Sequence, residues 1–213
     1  MDVAGWSLRN KVVIAVIGAV GGIGGGVLAA QSLRPHAVPP VGASASSPIL
    51  GAPLTRQAAA PFTLTDQDGK SVSLVAEKGR LVLLTFLDPQ CRQLCPVIGK
   101  DIGALEKQLP SWIHPVLLIV SVAPGRTRAD VETFLAKESP GWLPGWHWLL
   151  GPNDASLKLT WAHWHIAVIP TPTDIAHDAL LDVIDAHGYL RVTYPAPLSL
   201  GAVVSDIIKI AHS

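Results

Sequence analysis

The apolar pattern divides the chain into three parts. From Val12 to Leu33, "VVIAVIGAVGGIGGGVLAAQSL" carries no charge. At a rise of about 1.5 Å per residue it would cover roughly 30 Å, the thickness of a hydrocarbon core, so it predicts a transmembrane anchor over 12–33 behind a short stretch at 1–11. Periodicity then disappears: "QSLRPHAVPPVGASASSPILGAPLTRQAAAP" is rich in Pro, Ala, Gly and Ser and reads as a flexible tether over 34–61. From Phe62 onward the pattern returns as alternating strands and helices, which predicts one folded domain over 62–213.

Within that domain "FTLTDQDGKSVSL" is two short alternating runs around an Asp-Gly turn, a hairpin signal. "RLVLLTFL" is a continuous apolar run of strand length, as a central strand buried on both faces requires. Val97, Ile98, Ile102, Leu105 and Leu109 recur at helical spacing after Pro96. "HPVLLIVSV" reads as a second buried strand, "TRADVETFLAKES" as a second helix, and "HWLLG" as a short strand. A helix follows near "DASLKLTWAHW", then a hairpin turning at "AHG" in "ALLDVIDAHGYLRVTY", and a closing helix in "PLSLGAVVSDIIKIAHS". Strands alternating with helices and then an antiparallel hairpin define an α/β sandwich with a mixed central sheet. No internal repeat is present.

Sixteen basic and sixteen acidic residues cancel, leaving no electrostatic footprint for nucleic acid. Mean hydropathy is high at +0.38, largely because of the N-terminus. Arg9 and Lys11 precede the uncharged run and Arg34 follows it, so the positive-inside rule places 1–11 in the cytoplasm and the domain on the extracytoplasmic side of the cell membrane. A cleaved signal peptide is the competing reading, with small residues in "LAAQS" and "ASA". The run exceeds the usual apolar segment of about 7–15 residues, which favours an uncleaved anchor. Gly24, Gly26 and Ala29 match a dinucleotide-binding pattern, but no acid stands between Asp2 and Asp66 to hold a ribose, so that reading fails. Gly18, Gly22 and Gly26 are spaced to pair membrane helices, although small residues are common in such helices.

Cys91 and Cys95 are the only cysteines, and they lie where a buried strand gives way to a helix. A structural disulfide, a thiol redox couple and a soft-metal site are the candidate uses. A bridge over so short a loop adds little chain-entropy stabilisation. The strand-to-helix position instead exposes side chains near unpaired N–H groups that stabilise a thiolate. Residues i and i+4 share a helix face, so both sulfurs can meet one metal ion or each other. Thioredoxin-like couples use C-x-x-C, whereas this spacing is C-x-x-x-C. Two thiolates suit Cu(I) or zinc, with a histidine as the natural third ligand. His163 and His165 form H-x-H between Trp161 and Trp164 and read as one packed histidine and one exposed neighbour. The tryptophans of "GWLPGWHWLLG" read as a cover over the sheet.

"FTLTDQDGKSVSL", "GRLVLLTFLDPQCRQLCP", "WLLG" and a histidine before "LLDVIDAHG" together resemble the Sco/SenC family, over roughly Phe62 to the C-terminus. The resemblance implies a membrane-tethered thioredoxin-fold copper protein that helps assemble the CuA centre of cytochrome c oxidase. The family motif C-P-x-x-C-P is matched by Cys91, Cys95 and Pro96, with Arg92 in place of the first proline and Gln93 where an acid is common. His177 stands eleven residues ahead of the turn glycine Gly188 and inherits the ligand role. "SVAPGRTRAD" corresponds to the family's S-V-D-P-x-R-D-T. Ser121, Val122, Pro124 and Arg126 are kept, while Ala123 and Thr127 replace both acids; Asp88 and Asp178 are the acids that could compensate. The implied site is copper, as Cu(I), on Cys91, Cys95 and His177, with the copper-accepting oxidase subunit and other copper chaperones as partners. The alternative is a thiol–disulfide oxidoreductase in which Cys91 attacks and Cys95 resolves. A peroxide-reducing redoxin is disfavoured by the spacing and the distant histidine.

Overall fold

The computed structural model describes residues 49–213 apart from 143 and 173. The expected cytoplasmic stretch 1–11, the anchor 12–33 and most of the tether therefore lie outside the described residues. Among the described residues no helix is long and apolar enough to cross a membrane.

The run "VLLTFL" becomes β4 (Val82–Leu87), every residue of it buried. It pairs in parallel with β5 (Val116–Ser121), which pairs in parallel with β6 (Trp146–Leu149). On its other side β4 meets β9 (Leu180–Ile184) antiparallel, β9 turns into β10 (Tyr189–Pro195), and β1 (Ala52–Ala58) closes that edge antiparallel to β10. The sheet order is β1-β10-β9-β4-β5-β6, a mixed sheet of six strands. Two small hairpins lie outside it, β2 (Thr63–Thr65) with β3 (Ser71–Ser73) and β7 (Val168–Pro170) with β8 (Ile175–His177).

Alternation along β4 explains its uniform burial; its one polar residue, Thr85, donates its hydroxyl to the Leu180 carbonyl (2.7 Å). Leu83 and Leu87 face one core with Ile98, Ile102, Phe134, Val203 and Ile207, contributed by α1 (Leu94–Glu106), α2 (Arg128–Glu138) and α4 (Leu200–Ala211). Leu84 and Phe86 face the other with Leu64, Leu157 and Trp161, contributed by the first hairpin and α3 (Asp154–His163). A central strand covered on both faces has no polar side to show. Thr127 and Asp130 form a reciprocal capping box at the start of α2, and the Asn153 side chain accepts the Ser156 N–H to start α3.

Two expectations need correction, and one element was not foreseen. The tether was expected to run to Pro61, but Ala52–Ala58 is an edge strand, exposed along nearly its whole length; such a strand has no apolar face to advertise. Its start is pinned by the buried Asp206 of α4, which accepts the N–H groups of Leu50 (2.6 Å) and Gly51 (3.0 Å) and the hydroxyl of Tyr194. A side chain at Gly51 would begin 2.3 Å from Val192 Cγ2, so glycine is required there. The β7–β8 hairpin was not expected at all. Finally, both His163 and His165 are exposed, because Trp161 and Trp164 take the inward positions around them.

Candidate metal and redox centre

The centre is built where β4 ends. After Leu87 the chain makes a tight turn: the Cys91 N–H donates to the Asp88 carbonyl (3.1 Å), and Asp88 Oδ1 accepts the Gln90 N–H (3.0 Å). Helix α1 then starts at Leu94. This puts Cys95 on its first turn, with the Cys95 N–H donating to Cys91 Sγ (3.4 Å). Pro96 sits in the same turn, where its missing N–H costs nothing. Both cysteines are free thiols; Cys91 is 8% exposed and Cys95 is fully buried.

The two sulfurs are electrostatically unequal. The Cys95 thiol donates toward Cys91, and with the N–H groups of Cys95, Gln93 and Leu94 this lowers Cys91 to about 6 against the opposing effect of burial. Cys95 is pushed well above the usual thiol range, first because it supplies that proton to Cys91 and then because it is buried. One sulfur is ready as a thiolate and the other holds its hydrogen.

The β7–β8 hairpin brings in His177, whose Nε2 lies 3.5 Å from Cys95 Sγ. Its Nδ1 is 2.9 Å from the Asp178 carbonyl oxygen. A carbonyl can only accept, so Nδ1 carries the hydrogen, and in the neutral ring this leaves the Nε2 lone pair facing the cysteine. The Asp178 carboxylate is occupied at the foot of the hairpin, accepting the Ala167 N–H (2.7 Å). With metal–sulfur and metal–nitrogen bonds of about 2.3 and 2.0 Å at a tetrahedral to trigonal angle, two ligands stand about 3.5–3.7 Å apart. The Cys95–His177 separation matches that bite. Among the described residues no three His, Cys, Asp or Glu side chains are already gathered as a metal cage. The preset part is the Cys95–His177 pair, with Cys91 one hydrogen bond away.

Cys95 thus contacts both Cys91 and His177, although His177 and Cys95 are 82 positions apart in the chain. The H-x-H pair has no part in this contact. Two further residues complete the surroundings. Asp88, 2% exposed, receives both Arg126 Nε (2.7 Å) and an Arg126 terminal nitrogen (2.8 Å). Ala123, standing where an acid was looked for, is buried and offers only backbone. With Ala123 and Thr127 in place of two acids of its segment, Arg126 takes its carboxylate from Asp88, one of the two acids named from the sequence as able to compensate. A cleft of about 880 Å³ opens beside Cys91, lined by Gln90, Arg92, Arg126 and Phe134 among others.

A mixed sheet between helix layers, with a cysteine pair at the junction of a central strand and the following helix, defines a thioredoxin-like protein. Within that class the chain belongs to the SCO1/SenC family, whose profile matches residues 52–212. It is 30% identical over 99 residues to a SCO1 protein homolog of Bacillus subtilis (strain 168), covering 46% of this chain and 51% of that protein, so it spans about half the length of the curated relative it matches. Its fold is similar to that of a SCO1/SenC family lipoprotein from Bacillus anthracis str. Ames (TM-score 0.66, 19% identity, 75% of this chain and 97% of that one). It is also similar to Bradyrhizobium japonicum ScoI, solved with copper bound (TM-score 0.56, 24% identity, 72% and 99%).

Proposed function

We propose that this protein takes up Cu(I) on Cys91, Cys95 and His177 and passes it to the copper-accepting subunit of a cytochrome c oxidase, at its CuA centre. The observation that carries the reading is the His177 imidazole, fixed by Asp178 so that its free lone pair meets the Cys95 sulfur. Two thiolates and a neutral imidazole form a soft donor set that suits Cu(I), and copper is bound in the Bradyrhizobium japonicum relative. Copper is the cargo here. Cys91 arrives deprotonated, Cys95 gives up its hydrogen on ligation, and His177 supplies its lone pair without losing a proton. The protein works as a single-pass membrane protein, anchored through 12–33 with its domain outside the cytoplasm. Resistance to carbonate extraction tests the anchor, and an active reporter after Ser213 tests the topology.

A second reading is favoured by the inequality of the cysteines. The Cys91 thiolate beside an open cleft attacks a sulfur of a partner disulfide; that bond breaks and one partner thiolate leaves. Cys95 gives its proton to the partner thiolate that has left, then attacks Cys91 and releases the second partner thiolate. Two electrons pass to the partner and a Cys91–Cys95 disulfide remains. That disulfide has no thiolate to offer copper, so the two activities exclude each other.

Titration of the reduced protein with Cu(I) against a competing chelator separates the readings. One equivalent binds, with two sulfur scatterers in X-ray absorption. His177→Ala lowers affinity at least about tenfold, roughly 1.4 kcal/mol, yet still forms the disulfide; His163→Ala and His165→Ala change neither. Fast catalytic disulfide turnover without copper binding reverses the ranking.

A further inference from the structure

Asp88 is the first residue after β4, and its carboxylate is almost wholly removed from water. A buried carboxylate is tolerated only when paired and hydrogen-bonded. Arg126, from the loop between β5 and α2, meets both of its oxygens at 2.7 and 2.8 Å, a planar fork matching a planar acceptor. The same residue sets the turn that carries Cys91: Oδ1 takes the Gln90 N–H and its carbonyl takes the Cys91 N–H. A second tie runs parallel to the first. The Gln90 side-chain amide donates to Asp130 Oδ1 (2.8 Å), and Asp130 is the acid of the α2 capping box. The cysteine turn is therefore bolted to the β5–α2 loop at two points, the stronger being a bidentate ion pair.

We propose that Asp88 and Arg126 act as a positioning pair that holds the Cys91 turn, and with it the spacing of both sulfurs, in the geometry that captures copper. The proposal rests on the copper reading above. Neither residue touches the metal; Arg126 works through Asp88, and Asp88 through the backbone of the turn. The other charged groups lining the cleft do not duplicate this link. Lys137 pairs with Glu138, Arg92 makes no side-chain hydrogen bond or ion pair among the described residues, and Asp174 meets Arg126 only as a nearby charge. With Ala123 in place of an acid, Asp88 holds Arg126 from across the cleft and so joins two loops that sequence separation keeps apart.

The test uses the full chain, reduced, with Asp88→Asn, Arg126→Gln, the double variant and Arg126→Lys. Two quantities are read on protein shown to be folded by circular dichroism: Cu(I) affinity by chelator competition, and the equilibrium of the Cys91–Cys95 couple with a thiol buffer. Each single substitution is expected to weaken Cu(I) binding at least tenfold and to shift the thiol equilibrium. The double variant is expected to be no worse than the worse single, as for two groups acting as one unit. Arg126→Lys, which keeps the charge without the fork, is expected to remain impaired, and it carries the test should Arg126→Gln fail to fold. Wild-type affinity and thiol equilibrium in the folded singles overturn the proposal, and so do strictly additive losses in the double. If His177→Ala and Cys91→Ser also bind copper like wild type, the copper reading is what has failed; the thiol equilibrium, which needs no copper, still decides whether the pair sets the sulfurs.

Discussion

Cys91 should titrate near pH 6 instead of near 9, and the rate of its alkylation reads this directly. At pH 7 a thiol at about 6 is about nine-tenths ionised, against about 1% for one at 9. The advantage is partly offset because nucleophilicity falls with basicity. A Brønsted slope of about 0.4–0.5 over three units costs about 15–30-fold. The product is a rate only about three to six times that of an ordinary thiol at pH 7. By pH 9 the order inverts, with Cys91 about tenfold slower than a thiol of pKa 9. Iodoacetamide labelling of the reduced protein from pH 4.5 to 9.5, with peptide-level mass spectrometry, should therefore give a plateau above pH 7 and a half-rate near pH 6. Cys95 should stay unlabelled throughout, since its thiol is pushed up and buried. Cys95→Ala removes the largest lowering influence on Cys91, so the half-rate point should move upward. A half-rate point at pH 8–9 in the native sequence, or one that Cys95→Ala leaves in place, refutes the account of a thiolate held by its neighbour.

Asp182 is buried on β9 beside the Thr193 hydroxyl, and desolvation raises its pKa from 3.8 to about 6. Its folded value exceeds its unfolded one, so its contribution is fully present below pH 3.8 and is lost as pH rises through 6. Asp182→Asn should then stabilise the fold at pH 8 by up to about 3 kcal/mol and change little at pH 3.5, as urea melts at the two pH values would show. A Cβ at Gly103 would stand 1.9 Å from the Pro140 carbonyl oxygen, whereas one at Gly99 meets only contacts of 3.4 Å or more. Gly103→Ala should cost about 3 kcal/mol in denaturant melts and Gly99→Ala much less; equal costs would show that α1 shifts freely against that loop.

Where burial is two-sided or strictly alternating, the sequence was readable. β4 and β5 announced themselves as apolar runs, and the β9–β10 hairpin by its turn. The tryptophan-rich segment is not a loop laid over the sheet but part of it: Trp146 and the fully buried Trp148 stand on β6, while Trp142 gives its indole N–H to the Gly99 carbonyl of α1. β1 left no trace because its side chains are exposed and only its backbone is engaged. The β7–β8 hairpin is two three-residue strands with Pro170 in one of them, too short for periodicity to register. That hairpin delivers His177, so the histidine was identifiable by family spacing alone, its partner lying 82 positions away. The Asp88–Arg126 pair was legible only in part: Asp88 could be named as a compensating acid, but an ion pair between two loops has no local pattern to single it out from Asp178.

β1 runs antiparallel to β10, β10 to β9, and β9 to β4. The chain therefore comes into the domain, at Leu50 and Gly51, on the same end of the sheet at which β4 hands over to the Cys91 turn. Ser213 and the last turn of α4 lie instead beside Gly79, Arg80 and Leu81, where β4 begins. Asp206 acts as the rivet: by gripping the backbone of Leu50 and Gly51 it fixes the start of β1 at the end of the sheet that carries the sulfurs. A bulky fusion placed just ahead of Leu50 is expected to crowd the sulfur-bearing end of the sheet, and a dye, tag or surface linkage after Ser213 to leave it clear.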